Sequence, residues 1–169
     1  MSASFLHYDG YTLRDAGMGE YVGKLKKALY NFQADKHNPI TFRRENGELI
    51  RCDRHFVTDL GSIPRTLQLI VPSSQYRAPF IFHDSAYLHH GEYVKRPDDL
   101  CFLWRPLTMR EANERLYEMM RAEGAWWITA QAVLRVLNVA GGVAWGRTDK
   151  REQAGSQPNW GDQCKTSLP

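Results

Sequence analysis

The sequence predicts an α+β domain: a small antiparallel sheet from the N-terminal third, packed by about three helices. Three observations carry this. First, Asn46-Gly47 joins two short runs suited to strands, PITFRR over 39–44 and LIRC over 49–52. That dipeptide supplies the positive φ values of a tight primed hairpin turn. Second, Thr108 and Glu111 form a capping box ahead of apolar residues at helical spacing. Third, Trp126 to Trp145 is apolar over most of its length and reads as a third, long helix.

Taken in order, residues 1–20 are Gly-rich and polar and read as an irregular arm. Residues 21–147 form the single domain, and 148–169 a polar tail. From Tyr21 to Gln33, Leu25, Ala28, Leu29 and Phe32 fit one helical face, whereas the run LYNF suits a strand. The hairpin that follows favours the strand. Phe56-Val57 continues the sheet, and Thr58 to Pro72, with Gly61 and Pro64, reads as a loop. The first helix spans Gln75 to His90, with Pro79 in its first turn and Gly91 as its stop. Gly91 to Arg105 is a connecting segment with a turn at Pro97-Asp98-Asp99. The second helix follows Thr108, places Ala112, Leu116, Met119 and Met120 on one face, and ends at Gly124. The third is expected to be buried in the core, its polar residues Gln131, Arg135 and Asn138 forming one narrow stripe. Arg135 at mid-helix argues against a membrane span.

Composition narrows the function classes. The chain has 169 residues, 43% of them hydrophobic, which is enough for a core, and a net charge of +3. Without a Lys/Arg run, that balance excludes the electrostatic footprint of a nucleic-acid binder. The densest basic group, Lys24, Lys26 and Lys27, reads as a solvated face. Cys52, Cys101 and Cys164 have neither C-x-x-C nor zinc spacing, which points to free thiols in a reducing compartment. The N-terminal residues lack a positive region followed by an apolar run, so no signal peptide is expected.

The chemistry concentrates at His83-Asp84-Ser85-Ala86-Tyr87, an H-D-x-x-Y arrangement on the first helix. Neighbouring helical residues lie about 100° apart, so His83 and Asp84 face adjacent sectors, while Tyr87 shares the face of His83. Such a helix offers an imidazole as base beside a carboxylate for a hard cation. The cation needs further oxygens, and the loop Thr58-Asp59-Leu60-Gly61-Ser62 is the candidate source, with Asp59 and Ser62 as ligands. The base needs an orienting partner, and Asn113 on the second helix is the candidate. A satisfied core histidine, and a turn capped by Asp59 and Ser62, are the competing explanations. His89 and His90 suit a helix C-terminus electrostatically.

Several motifs in order resemble a known family. FVTDLGSIPR over 56–65, then His83-Asp84-x-x-Tyr87, then Arg110-Glu-Ala-Asn113 and Leu116-Tyr-Glu-Met-Met120, look like the phage and prophage family called domain of unknown function 1353, over roughly residues 25–147. That resemblance implies a tailed-phage protein in the bacterial host cytoplasm or the virion. The pair H-D-x-x-Y and A-N-x-x-L-x-x-x-M is similar also to small phospholipases A2. This second resemblance implies His83 as the base that activates water, Asp84 as a calcium ligand, the Asp59–Ser62 stretch as the calcium loop, and Asn113 as the orienting residue. Asn113 stands where that pattern has Asp, and an amide accepts a hydrogen bond but does not stabilise an imidazolium. The loop carries only Gly61 where that group is glycine-rich.

The sequence therefore supports a calcium-assisted ester hydrolase acting on lipid or cell-envelope material. The alternatives are a virion (tail) component, or an accessory protein binding a host defence factor. Either would dock through the last helix and the C-terminal tail.

Overall fold

Strand-forming residues and turn chemistry build most of the first hundred residues. In the computed structural model, which describes residues 2–21, 25–58, 71 and 76–146, the elements run β1 (Ser4–Leu6), β2 (Tyr11–Tyr21), β3 (Leu25–Ala34), β4 (Thr41–Arg43), β5 (Leu49–Arg51), β6 (His55–Thr58), α1 (Arg77–His89), β7 (Gly91–Lys95), β8 (Leu103–Pro106), α2 (Met109–Ala122) and α3 (Trp127–Ala140). Two antiparallel sheets form. One has the order β1-β4-β5-β7-β8 and the other β2-β3-β6. The α+β class therefore holds, and the larger sheet draws strands from well beyond the first third.

The expected irregular arm is instead β1 and β2. Its polar, glycine-containing sequence still alternates well enough to pair with β4 and β3, and the register shift between Asp15 and Gly17 absorbs the irregularity as a bulge. In the ambiguous 21–33 stretch, Tyr21 and Leu25 onward are strand, as the hairpin context indicated; residues 22–24 lie outside the described residues. The β4–β5 hairpin forms, with a different turn. Among its residues only Gly47 has a positive φ, of 85°. Gly47 N–H reaches Arg44 O, and Arg44 N–H reaches Glu48 O. This is a type I turn closed by a left-handed glycine, the longer alternative to a two-residue primed turn.

The connecting segment expected after α1 is the β7–β8 hairpin. His90, with φ of 53°, takes the left-handed cap position that Gly91 was expected to fill, and Gly91 begins β7. The turn at Pro97-Asp98-Asp99 is present, closed by Asp99 N–H on Arg96 O.

α1 lies at the centre. Ala78, Ile81 and Phe82 share one core cluster with Phe32 and Phe56 of the smaller sheet and Phe42, Ile50 and Tyr93 of the larger. Phe80 meets Leu116 and Met120 near the end of α2, whereas Ala86 and Tyr87 meet Ala112 near its start. The two helices are therefore antiparallel. The capping box of α2 forms as expected, with Glu111 N–H on Thr108 Oγ1 and Thr108 N–H on Glu111 Oε2. Gly124, with φ of 86°, follows its end.

α3 corrects the sequence reading most. Only Ala130, Val133 and Leu137 on it are buried. Trp126, Trp127, Ile128, Val139 and Val143 are exposed, Val139 by 89%. Its apolar surround reflects two faces, one in the core and one outward. Residues 142–146 are again helical. No described helix is long and apolar enough to cross a membrane. Cys52 is free and buried, with burial pushing its thiol upward. Cys101 is disulfide-bonded, so the expectation of three free thiols fails. The 148–169 tail, the side chains of the Lys24–Lys27 group, and the Asp59–Ser62 loop lie outside the described residues.

Beside β2, both carboxyl oxygens of Glu123 are buried without a well-formed hydrogen bond. Burial pushes this carboxyl up to about 7, offset only in part by the nearby Tyr8 hydroxyl. The native state therefore holds a proton that the unfolded chain releases near pH 4.5. The contribution of Glu123 to stability should be greatest below pH 4.5 and fall as pH rises to about 7. Glu123 as a whole is only partly buried, and solvent screening reduces the cost to about 1 kcal/mol. Urea midpoints across that range should show the slope in wild type and lose it in Glu123→Gln.

Candidate functional site

α1 reads RAPFIFHDSAYLH and is buried on nearly every side. Each polar group on it therefore needs a partner, and the partners differ by sector. His83, 8% exposed, places Nε2 2.9 Å from Asn113 Oδ1 across the α1–α2 interface. Tyr87, one turn on, donates its hydroxyl to the same oxygen at 2.7 Å. The two rings lie 4.2 Å apart, centroid to centroid. Asn113 is fully buried, and its Nδ2 donates to Asn138 Oδ1 on α3 at 2.8 Å. Three helices thus meet at one amide.

Asp84 occupies the next sector and is partly buried. Its Oδ2 accepts a short hydrogen bond from Thr58 Oγ1, at the end of β6. The chain enters the Asp59–Ser62 stretch directly from Thr58. Ser85 faces elsewhere, accepting the Asp53 backbone N–H at 3.0 Å. His89 faces the Asp53 carboxylate at 3.2 Å, and His90 stacks on Trp145 at 4.1 Å. The structure thus brings His83, Tyr87 and Asn113 together, sets Asp84 beside them on Thr58, and keeps Ser85, His89 and His90 apart from that group.

The orientation of His83 has a chemical consequence. A carbonyl oxygen only accepts, so the proton of neutral His83 sits on Nε2 and the lone pair on Nδ1. Asp84 and Thr58 supply two oxygen donors suited to a hard cation, fewer than the six to eight that calcium takes. Among the described residues, no group of three or more His, Cys, Asp or Glu converges. A cavity of about 10 Å3 beside His83 is lined also by Ser85, Glu92, Arg115 and Leu116, and Asp84 is not among its walls. That volume holds one water, so it is no substrate pocket.

Behind this cavity lies an ion-pair ring. Glu92 accepts from Arg105 and, at 3.2 Å, from Arg115. Arg115 reaches Glu118 at 3.1 Å, and Glu118 reaches Arg44 at 3.0 Å. Arg44 meets Glu48 at 2.6 Å, and Glu48 returns to Arg105 at 3.9 Å. Three arginines and three glutamates close a neutral circuit that ties α2 to both hairpins of the larger sheet.

Sequence reasoning placed Thr58 in the candidate loop without giving it a partner, missed Trp145, and saw Asn138 only as one of a polar stripe. Trp145 packs edge-on against Tyr87 at 5.0 Å. A periodic polar stripe on an otherwise apolar helix was the available signal for Asn138.

The fold and site define an α+β protein with a His-Asp helix crossed by an asparagine from an antiparallel neighbour. The chain belongs to the family described as Protein of unknown function (DUF1353), whose model matches residues 36–135, more than half of the chain. That span holds His83, Asp84, Tyr87 and Asn113 and stops short of Asn138. No curated protein matches the chain, and no solved structure does.

Proposed function

We propose that the protein is a calcium-assisted ester hydrolase of phage origin. It would act on lipid or other cell-envelope esters, in the bacterial host cytoplasm or as part of the virion. The observation that carries this reading is the His83 Nε2 to Asn113 Oδ1 bond, which leaves Nδ1 as the basic nitrogen. His83 then removes a proton from the attacking water. Asn113 fixes the ring, and Tyr87 shares its acceptor oxygen. Asp84 would hold the cation, with Asp59 and Ser62, which follow Thr58 in sequence, as the further oxygen donors. The donor set is all oxygen, as calcium requires. A calcium ion held there would supply positive charge near the attacked ester. Asn113 carries no charge to support an imidazolium, so turnover should be slower than with a carboxylate in its place.

Calcium titration by calorimetry on wild type and Asp84→Asn tests the cation assignment. Saturable binding is expected in wild type, weakened by about 10–100-fold in the variant, the usual range for a perturbed metal site. Equal binding in both, or none in wild type, removes calcium from the account.

A different observation favours a second reading. The outward face of α3, with Trp127, Ile128 and Val139 exposed, suits docking on another protein. A virion tail component, or an accessory protein binding a host defence factor, would use that face and the C-terminal tail. Trp127→Glu should then abolish function and leave hydrolysis untouched. The hydrolase reading requires loss at His83 instead.

A further inference from the structure

Glu123 is a carboxyl in an unfavourable place. It caps the C-terminus of α2, the end at which the helix dipole opposes a negative charge. Both carboxyl oxygens are buried without a well-formed hydrogen bond, and the residue as a whole is only partly buried. Three elements meet there. Tyr8, in the turn between β1 and β2, turns its hydroxyl to Glu123, and the Ala78 backbone N–H in the first turn of α1 donates to that hydroxyl. The N-cap of α1, Tyr76, makes no side-chain hydrogen bond to the helix. Tyr8 therefore ties one of the open N–H groups of α1 to the end of α2. Tyr11 on β2 lies near Glu123, Arg77 and Asp9. The ionisable groups around the carboxyl are thus Tyr8 and Asp9 of the turn, which also carries His7, then Tyr11, Arg77 of α1 and, on the same helix, Arg121, which donates to Ala125 O. Neither arginine offsets the burial of Glu123.

The turn is secured unequally. On its β2 side, Gly10 O accepts the N–H groups of Asp35 and Ile40 at 2.8 and 3.2 Å. On its β1 side, His7 has φ of 52°, a left-handed conformation unfavourable for a residue with a Cβ. β1 has three residues and lies at the edge of its sheet, paired with β4. Phe5 on β1 packs edge-on against Tyr8 at 5.9 Å and reaches Phe82 of α1 at 5.6 Å. Tyr8 is the polar tie between this edge strand and the two helices.

We propose that Glu123 is a proton-controlled latch for the N-terminal strand. Protonated, it keeps Tyr8, and with it β1, against α1 and α2. Ionised, the carboxylate leaves its buried position for the nearby solvent, and Tyr8 loses that hold. Burial and the helix end both favour the neutral form. The proton leaves near pH 7, so the latch is shut in mildly acid solution and open in alkaline solution. β2 stays in place through Gly10, and the chain pivots at His7.

Amide hydrogen exchange on the full-length protein, corrected for the intrinsic effect of pH, reads the latch directly. It is to be measured at about pH 5.5 and about pH 8.5, on either side of the titration. In wild type the amides of Ser4–Leu6 and the Gly10 N–H should lose protection by roughly fivefold at the higher pH, the weight of one net hydrogen bond. Those of β5 and β7 should not change. Glu123→Gln stays neutral at both values and should keep the protected rates throughout. Tyr8→Phe lacks the hydroxyl and should exchange at the open rate at both. Equal protection of wild-type β1 at the two pH values overturns the proposal, as does a loss spread over the whole domain. A step that persists in Glu123→Gln belongs to His7 and overturns it as well. If Glu123→Gln does not fold, a pH step retained by folded Tyr8→Phe has the same force.

Discussion

Replacing His83 by alanine should lower ester hydrolysis by about 10²–10⁴-fold, the usual contribution of a positioned general base. The substitution also strips Asn113 Oδ1 of one of its two donors, so stability should fall by about 1–3 kcal/mol. His83→Gln separates the two effects. The glutamine amide is long enough to offer an N–H to Asn113, but it cannot accept a proton from water. It should melt near wild type and be as inactive as alanine. A histidine kept only for packing gives the opposite pattern: both variants lose stability, and no rate changes. Steady-state rates and melting temperatures for the three proteins decide between them.

The second large effect is expected at Glu92. Its side chain is 6% exposed and serves both Arg105 and Arg115. Glu92→Ala leaves Arg105 and Arg115 without their shared carboxylate, each keeping one glutamate partner, Glu48 and Glu118. Removing one partner of a buried ion pair costs about 3–5 kcal/mol, a large share of a typical domain's stability. The urea midpoint should drop accordingly. A loss below about 1 kcal/mol would mean that solvent reaches the ring and that its geometry contributes little. Although Glu92 and Arg115 line the cavity beside His83, that cavity has room for one water and not for substrate, so substrate affinity should survive at temperatures where the protein is folded.

What was legible in the sequence was what local chemistry decides. The Thr108–Glu111 capping box involves four consecutive residues and formed as read. So did the β4–β5 hairpin, although the loop is longer because Glu48 closes it through Arg44 rather than leaving Asn46 and Gly47 alone to turn the chain. The meeting of His83 and Asn113 was legible because helical spacing fixed one face of α1, and antiparallel packing against α2 supplied the opposing one.

The misreadings all involve long-range compensation. The segment read as a connection contains β7, where Glu92 in GEYVK is buried, and a lone carboxylate there would be costly. Its partners Arg105 and Arg115 come from the next strand and the next helix, and they make the burial tolerable. His90 adopts the left-handed conformation usually left to glycine, which displaced the expected helix stop by one residue. The N-terminal strands were hidden by Gly17 and Gly19, because a bulge that accommodates one of them is visible only once β2 is paired. α3 was taken for a core helix because periodicity counts apolar residues without saying which of two apolar faces has a neighbour. Asn138 belongs with these. The polar stripe marks it as set apart from the apolar faces, but its partner, an amide 25 residues earlier, is fixed only by the packing of α2 on α3.

The central claim is that the His83 site hydrolyses an ester. The most direct measurement is fatty-acid release from anionic phospholipid vesicles by the purified full-length protein, with calcium and again after EGTA, for wild type beside His83→Gln. The account predicts calcium-dependent release by wild type and none above the vesicle blank for His83→Gln. Equal release by both proteins, or none by folded wild type with calcium present, would contradict it.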